Sequence, residues 1–99
     1  MIIRIEDSPK VNKRYRVYMD NGKHYDFGLQ GGQTYIDHGD KKIRFNYWKR
    51  HIKNHTEQQL IDNLVPSPSL FAAALLWGHS TDIYKNIDYL NEQWRKFHS

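Results

Sequence analysis

The chain has 99 residues, 38% of them hydrophobic and 14% aromatic, with 15 Lys and Arg against 11 Asp and Glu and no cysteine. That length supports one core, because a second would leave each too small to offset chain entropy. The missing thiols exclude a disulfide framework and a thiolate metal site and favour a reducing, intracellular setting, while a net charge of +4 and a pI of about 9.4 favour anionic partners such as nucleic acid, acidic protein patches or lipid headgroups.

Residues 1–10, MIIRIEDSPK, carry too short an apolar run for a signal peptide, and the longest apolar run, residues 70–77, falls well short of the roughly 20 residues that cross a bilayer. Residues 2–6 alternate around Arg4 and are β-rich, which predicts an edge strand. The loop DSPKVNK follows, with Pro9 unable to donate to a central ladder. KRYRVYM, DNG and KHYDFG then form a hairpin signal. A two-residue Asn21-Gly22 turn would set Val17 opposite Asp26 and Arg16 opposite Phe27, mixing polar and apolar groups on both faces. A three-residue Asp20-Asn21-Gly22 loop instead pairs Met19 with Lys23, Val17 with Tyr25 and Tyr15 with Phe27, which gives one apolar face and is the register expected. The opposite face then carries Arg14, Arg16, Tyr18, His24 and Asp26.

Residues 28–39, GLQGGQTYIDHG, are glycine-rich but lack both the GxGxxG spacing and a P-loop lysine, so they predict an irregular connection pinned by Tyr35 and Ile36. Asp37 or Asp40 can cap the helix that follows. That helix, expected over residues 38–55, has Phe45, Trp48 and Ile52 in one sector as its core side. Lys42, Asn46, Lys49 and Lys53 recur on another sector, flanked by Arg50. Six of the fifteen basic side chains lie between Lys41 and Lys53, and no acid interrupts them up to Asn54.

Thr56 and Gln59 form a capping-box pattern that predicts a helix over residues 56–64. Ser67-Pro68 restarts the chain as a cap followed by proline at the first helical position, and residues 68–77 predict a third helix, apolar nearly all round through LFAAALLW. Such a helix is wrapped by its own domain or half-covered by another chain. Gly78 is expected as its C-cap. Ser80, Thr81 and Asp82 open the last helix, whose stripe is Ile83, Ile87, Leu90, Trp94 and Phe97.

Little in this pattern carries catalysis. His51 and His55 share a helical face, but the stretch is HIKNH, with no HExxH glutamate, and His24, His38, His79 and His98 have no ligand spacing. No GxSxG elbow or SxxK is present, and the serines fall where caps and turns need them. The expectation is therefore no enzyme, no cofactor, no metal and no catalytic residue.

The segments SPKVNKRYRV, KHYDFG, YIDHGDKKIRFNYWKRH and SPSLFAAALLWG, with NIDYLN in the tail, together resemble a small conserved uncharacterised protein family of nucleocytoplasmic large DNA viruses, phycodnavirus- or mimivirus-like. Tyr35, His38, Asp40, Arg44, Tyr47, Arg50 and His51 stand at the positions of that family's helix motif. FAAA before LLW departs from its more aromatic pattern. The resemblance implies a viral setting, in the virion and in host cytoplasm or nucleus during assembly, and brings no catalytic residue with it.

These readings predict an α+β domain, residues 1–99, with a small N-terminal antiparallel sheet (1–28), a glycine-rich loop (29–39) and three to four helices (40–99). The expected function is that of a non-enzymatic structural interaction protein, a minor capsid-associated virion component that meets other viral structural proteins or itself. The residues for that interface are Leu70, Phe71, Leu75, Trp77, Trp94 and Phe97. The alternative is a nonspecific nucleic-acid-binding module for genome packaging or replication, using Arg14, Arg16, Lys42, Lys49, Arg50 and Lys53.

Overall fold

The computed structural model describes residues 1–97; His98, Ser99 and the side chain of Ile52 lie outside the described residues, and with them the expectations placed on His98 and on Ile52 as a core residue. Among the described residues the fold is α+β: a three-stranded antiparallel sheet followed by five α-helices, the fourth of them continued by a π-helical turn. The strands β1 (Ile2–Asp7), β2 (Lys13–Met19) and β3 (His24–Leu29) lie in sequence order, so β1 and β3 are both edges.

The hairpin takes the register set by the apolar alternation. Val17 pairs with Tyr25 and Tyr15 with Phe27, the Met19 amide donates to the Lys23 carbonyl at 2.8 Å, and Gly22 is left-handed at φ +86°. One sheet face therefore carries Tyr15, Val17, Met19, Tyr25 and Phe27 into the core.

That face is covered by the apolar segment. α4 (Pro68–Phe71) is capped by Ser67, whose hydroxyl accepts from the Leu70 amide, and it runs directly into a π-helical turn, Ala72–Leu76. Leu70, Phe71, Ala73, Leu75 and Leu76 are all buried, and the Phe71 ring sits 5.4 Å from Tyr25 and 5.9 Å from Phe27. The other side of the π-helical turn meets α5 (Ile83–Phe97) through Ile87 and Leu90. LFAAALLW is thus wrapped within one chain by the sheet on one side and α5 on the other.

Gly78 is not a left-handed C-cap. It is buried, and a Cβ there would lie 2.3 Å from the Ala74 carbonyl oxygen and 2.7 Å from Cγ of Asn86. Close approach of the preceding π-helical turn's own carbonyl, and then of Asn86 from α5, is what demands glycine. Asn86 itself, fully buried, donates to the carbonyls of Leu75 and Ser80 at 2.9 and 2.8 Å and accepts from the Ser80 amide at 3.1 Å, so one side chain satisfies these three backbone groups on either side of the turn after the π-helix. A second asparagine, Asn91, exchanges two 2.9 Å hydrogen bonds with the backbone of Ile2 and ties β1 to α5.

Candidate functional site

The helix expected over residues 38–55 is divided. Gly39, left-handed at φ +65°, ends a short α1 (Tyr35–His38). The chain then restarts as α2 (Lys41–Ile52), with the Asp40 carboxylate accepting from the amides of Lys42 and Ile43 at 2.9 and 3.2 Å. Of the two aspartates expected to cap this helix, Asp40 does so; Asp37 instead lies in the first turn of α1, where its carboxylate accepts from the amide of the N-cap residue Thr34. α3 (His55–Asp62) begins earlier than the capping-box pattern implied, because Asn54 accepts from the Glu57 amide at 3.2 Å and takes the capping role assigned to Thr56.

The inner face of α2 is also not the one expected. Phe45, whose apolarity predicts a core position, is 64% exposed. The inward arc is Arg44, Tyr47, Trp48 and His51, spaced i, i+3, i+4 and i+7. Its target is Trp77. The Tyr47 ring stacks on the Trp77 ring at 4.3 Å and 6°, the Trp48 indole donates to the Trp77 carbonyl at 2.9 Å, and Arg44 Nε donates to the carbonyls of Trp77 and Gly78 at 3.1 and 2.7 Å. These are carbonyls at the end of a helix, which need donors from outside it. Their demand turns α2 so that Arg44 and Trp48 face inward and Phe45 does not.

His38 packs beside the same indole at 5.6 Å and accepts from the Asp40 amide through Nδ1, while its buried Nε2 has no partner among the described residues. His51 lies 4.0 Å from the Tyr47 ring and pairs through Nδ1 with the Glu57 carboxylate, joining α2 to α3. Burial, and secondarily Glu57, pushes the Tyr47 hydroxyl above its ordinary range. Tyr35, under the Arg44 guanidinium at 5.5 Å, completes the ring. Motif residues Tyr35, His38, Arg44, Tyr47 and His51 are therefore a packing constellation around Trp77. His55 lies across the break at Asn54 from His51, and among the described residues no group of three or more His, Asp or Glu could hold a metal ion.

The outward arc of α2 has a different character. Lys41, Lys42, Phe45, Asn46, Lys49 and Arg50 are all exposed, as is Lys53 just past the helix end. Among the described residues, none of Lys41, Lys42, Lys49, Arg50 and Lys53 makes an ion pair. The two arginines grouped with them from the sheet are neutralised within the chain. Arg14 forks onto Asp37 at 2.7 and 2.6 Å, and Arg16 onto Asp26 at 3.0 and 3.1 Å. The Arg16 guanidinium, with Ser8 and Lys10 assisting, holds the Asp26 carboxyl well below the usual carboxylate range against the opposing effect of burial; Arg14 and Thr34 do the same for Asp37. Arg14 and Arg16 are corrected from anion-binding candidates to framework ion pairs.

Leu70, Phe71, Leu75 and Trp77 are likewise corrected. They are core residues, not an outward interface. Trp94 is half-buried, and Phe97 remains exposed at one end of a groove of about 630 Å³ between α2, α3, the π-helical turn and α5. Trp48, Leu64, Tyr89 and Lys96 also line it. A smaller depression of about 390 Å³ lies between Tyr35, Lys41, Arg44, Phe45, Trp48 and His79. Arg44, Phe45 and His79 were not singled out as binding residues from the sequence. For Phe45 the available signal was its spacing, at i+4 from Lys41 and i−4 from Lys49, in the middle of the cations. No described helix is long and apolar enough to cross a membrane.

A family described only as a family of unknown function, DUF5754, matches residues 3–51, just under half of the chain, from β1 to nearly the end of α2. No curated protein and no solved structure matches the chain.

Proposed function

We propose that the protein is a non-enzymatic binding module whose α2 face takes the phosphate backbone of a nucleic acid, acting in genome packaging or replication of a large DNA virus. The observation that carries this reading is the contrast in charge pairing: Arg14 and Arg16 are matched by carboxylates, whereas among the described residues Lys41, Lys42, Lys49, Arg50 and Lys53 have none. A row of like charges at helical spacing repels itself unless an anion lies across it. Phosphates fit that requirement and supply affinity through counterion release. The viral setting rests on the sequence resemblance.

The test is a fluorescence-anisotropy titration with labelled 12-nucleotide strands and duplexes at several salt concentrations. About five phosphate contacts predict a loss on the order of 100-fold in affinity for a single strand between roughly 50 and 200 mM salt. Changing Lys42, Lys49 and Lys53 together to Glu should weaken binding by a comparable factor at low salt while leaving the melting temperature unchanged or slightly raised. Salt-independent binding, or a triple variant that binds as the parent does, would refute the proposal.

A second reading is supported by the groove beside α5, where Tyr89 and Phe97 are half exposed. In it the protein is a minor virion component that docks another structural protein there. Detecting the chain in purified particles, and its loss on Phe97→Asp, is the corresponding measurement.

A further inference from the structure

Charge alone would make α2 indifferent to whether a nucleic acid is single- or double-stranded, but the face is not made of charge alone. Phe45 is 64% exposed and stands one helical turn from Lys41, Lys42 and Lys49. A singly exposed phenylalanine is ordinary on a protein surface. Its neighbours make this one different. A protein docking on the ring would have to strip water from three unpaired ammonium groups around it, whereas a nucleotide offers a flat apolar base to the ring and a phosphate to each ammonium.

Beside Phe45 the surface falls into the depression lined by Tyr35, Lys41, Arg44, Trp48 and His79. Arg44 is already oriented there. Its Nε is anchored by the Trp77 and Gly78 carbonyls, while among the described residues its two terminal nitrogens have no hydrogen-bond partner. A guanidinium held in this way offers two parallel donors to a phosphate or to a base edge with little further ordering. The depression thus combines an aromatic platform, a pre-oriented fork and the end of a cationic track. A duplex keeps its bases stacked inside and cannot present one to Phe45; an unpaired strand can.

We infer that the α2 face prefers single-stranded nucleic acid, with one unpaired base stacked on Phe45 over the Arg44 depression and the flanking phosphates on Lys41, Lys42 and Lys49. This rests on the nucleic-acid reading above and specifies the strand state that it takes.

The experiment compares the full chain with Phe45→Ala, Phe45→Trp and Tyr84→Ala, binding a labelled 12-nucleotide oligothymidylate and a 12-base-pair duplex at low salt. Tyr84, exposed on α5, is the surface control. The single strand should bind more tightly than the duplex. Phe45→Ala should weaken it by about 5- to 150-fold, the range for loss of one stacked base, with a several-fold smaller loss on the duplex. Phe45→Trp should retain the preference, and Tyr84→Ala should not alter it. Thymine fluorescence quenching cannot be read directly, so 2-aminopurine placed in the strand serves as the stacking probe; its emission should fall on binding to the parent and not to Phe45→Ala. Equal affinities with equal losses on both substrates would overturn the strand preference and leave the backbone-binding proposal standing. Binding to neither substrate would remove both.

Discussion

The outer face of the sheet and the outer face of α2 look alike in the sequence, both basic with interspersed aromatics, yet they have opposite electrostatic states. On the sheet, Arg14 and Arg16 are each held by two hydrogen bonds to a carboxylate, and Arg4 reaches Glu6 at 2.6 Å. On α2, the exposed cations meet no carboxylate among the described residues. Basic side chains are thus divided between framework and free surface by whether an acid from a distant segment arrives opposite them. Asp26 does so by β pairing, as Arg16 faces it across the hairpin. Asp37 does so because α1 folds back beside β2.

The change with the largest expected effect attacks the piece that joins the two regions. Gly78→Ala places a methyl 2.3 Å from the Ala74 carbonyl oxygen and against Asn86, so the π-helical turn and α5 must separate. A loss of about 3 kcal/mol or more is expected, near 15 °C in melting temperature for a chain of this size. Calorimetry that finds Gly78→Ala as stable as the parent would show that this close approach is not required.

Next is Asp37→Ala, the counterpart on the framework side of the lysine-to-glutamate triple change on α2. It leaves the half-buried Arg14 unpaired and removes the acceptor for the Thr34 amide and hydroxyl. Stability should fall by about 2 kcal/mol, while nucleic-acid affinity of the folded protein stays within about twofold, since Arg14 is not on the α2 track. If the variant keeps its stability and instead gains affinity through a freed Arg14, the division between the two faces is not as sharp as the ion pairs indicate.

The smallest effect is a response to acid. Both Asp26 and Asp37 have native pKa values below those of the unfolded chain, so their contribution is complete above the ordinary carboxylate range and is lost as pH falls through it toward the native values. Urea midpoints should therefore decline from about pH 5 downwards, and Asp37→Asn should flatten the decline. Parallel pH profiles for the two proteins would contradict this assignment.

How far the sequence was legible follows from the range of the forces involved. The hairpin register could be read because side-chain alternation and a three-residue turn are both local, and a slip of one residue would have exposed Val17 and Phe27. Ser67-Pro68 and the run Ser80-Thr81-Asp82 were legible as helix starts for the same reason: a cap serves amides within three residues of itself. The orientation of α2 was not. Apolarity placed Phe45 inward, but the carbonyls of Trp77 and Gly78, more than 30 residues away, needed donors, and Arg44 and Trp48 supply them. Phe45 was displaced outward as a result and joined the cations of the candidate site. Arg14 and Arg16 were misassigned on similar grounds, since composition shows a charge but not its partner.

By itself, then, the sequence determined the α+β layout, the hairpin pairing, the cap at Ser67, the opening of the last helix by Ser80-Thr81-Asp82, and the acid-free run of cations along α2, all of which depend on neighbours within a turn or two. Only the tertiary structure decided that LFAAALLW is core, that Trp77 is the hub of the helix motif, and which basic residues remain unmatched. Those outcomes depend on long-range contacts in which a buried carbonyl or carboxylate must find a donor, and no local pattern encodes which donor will reach it.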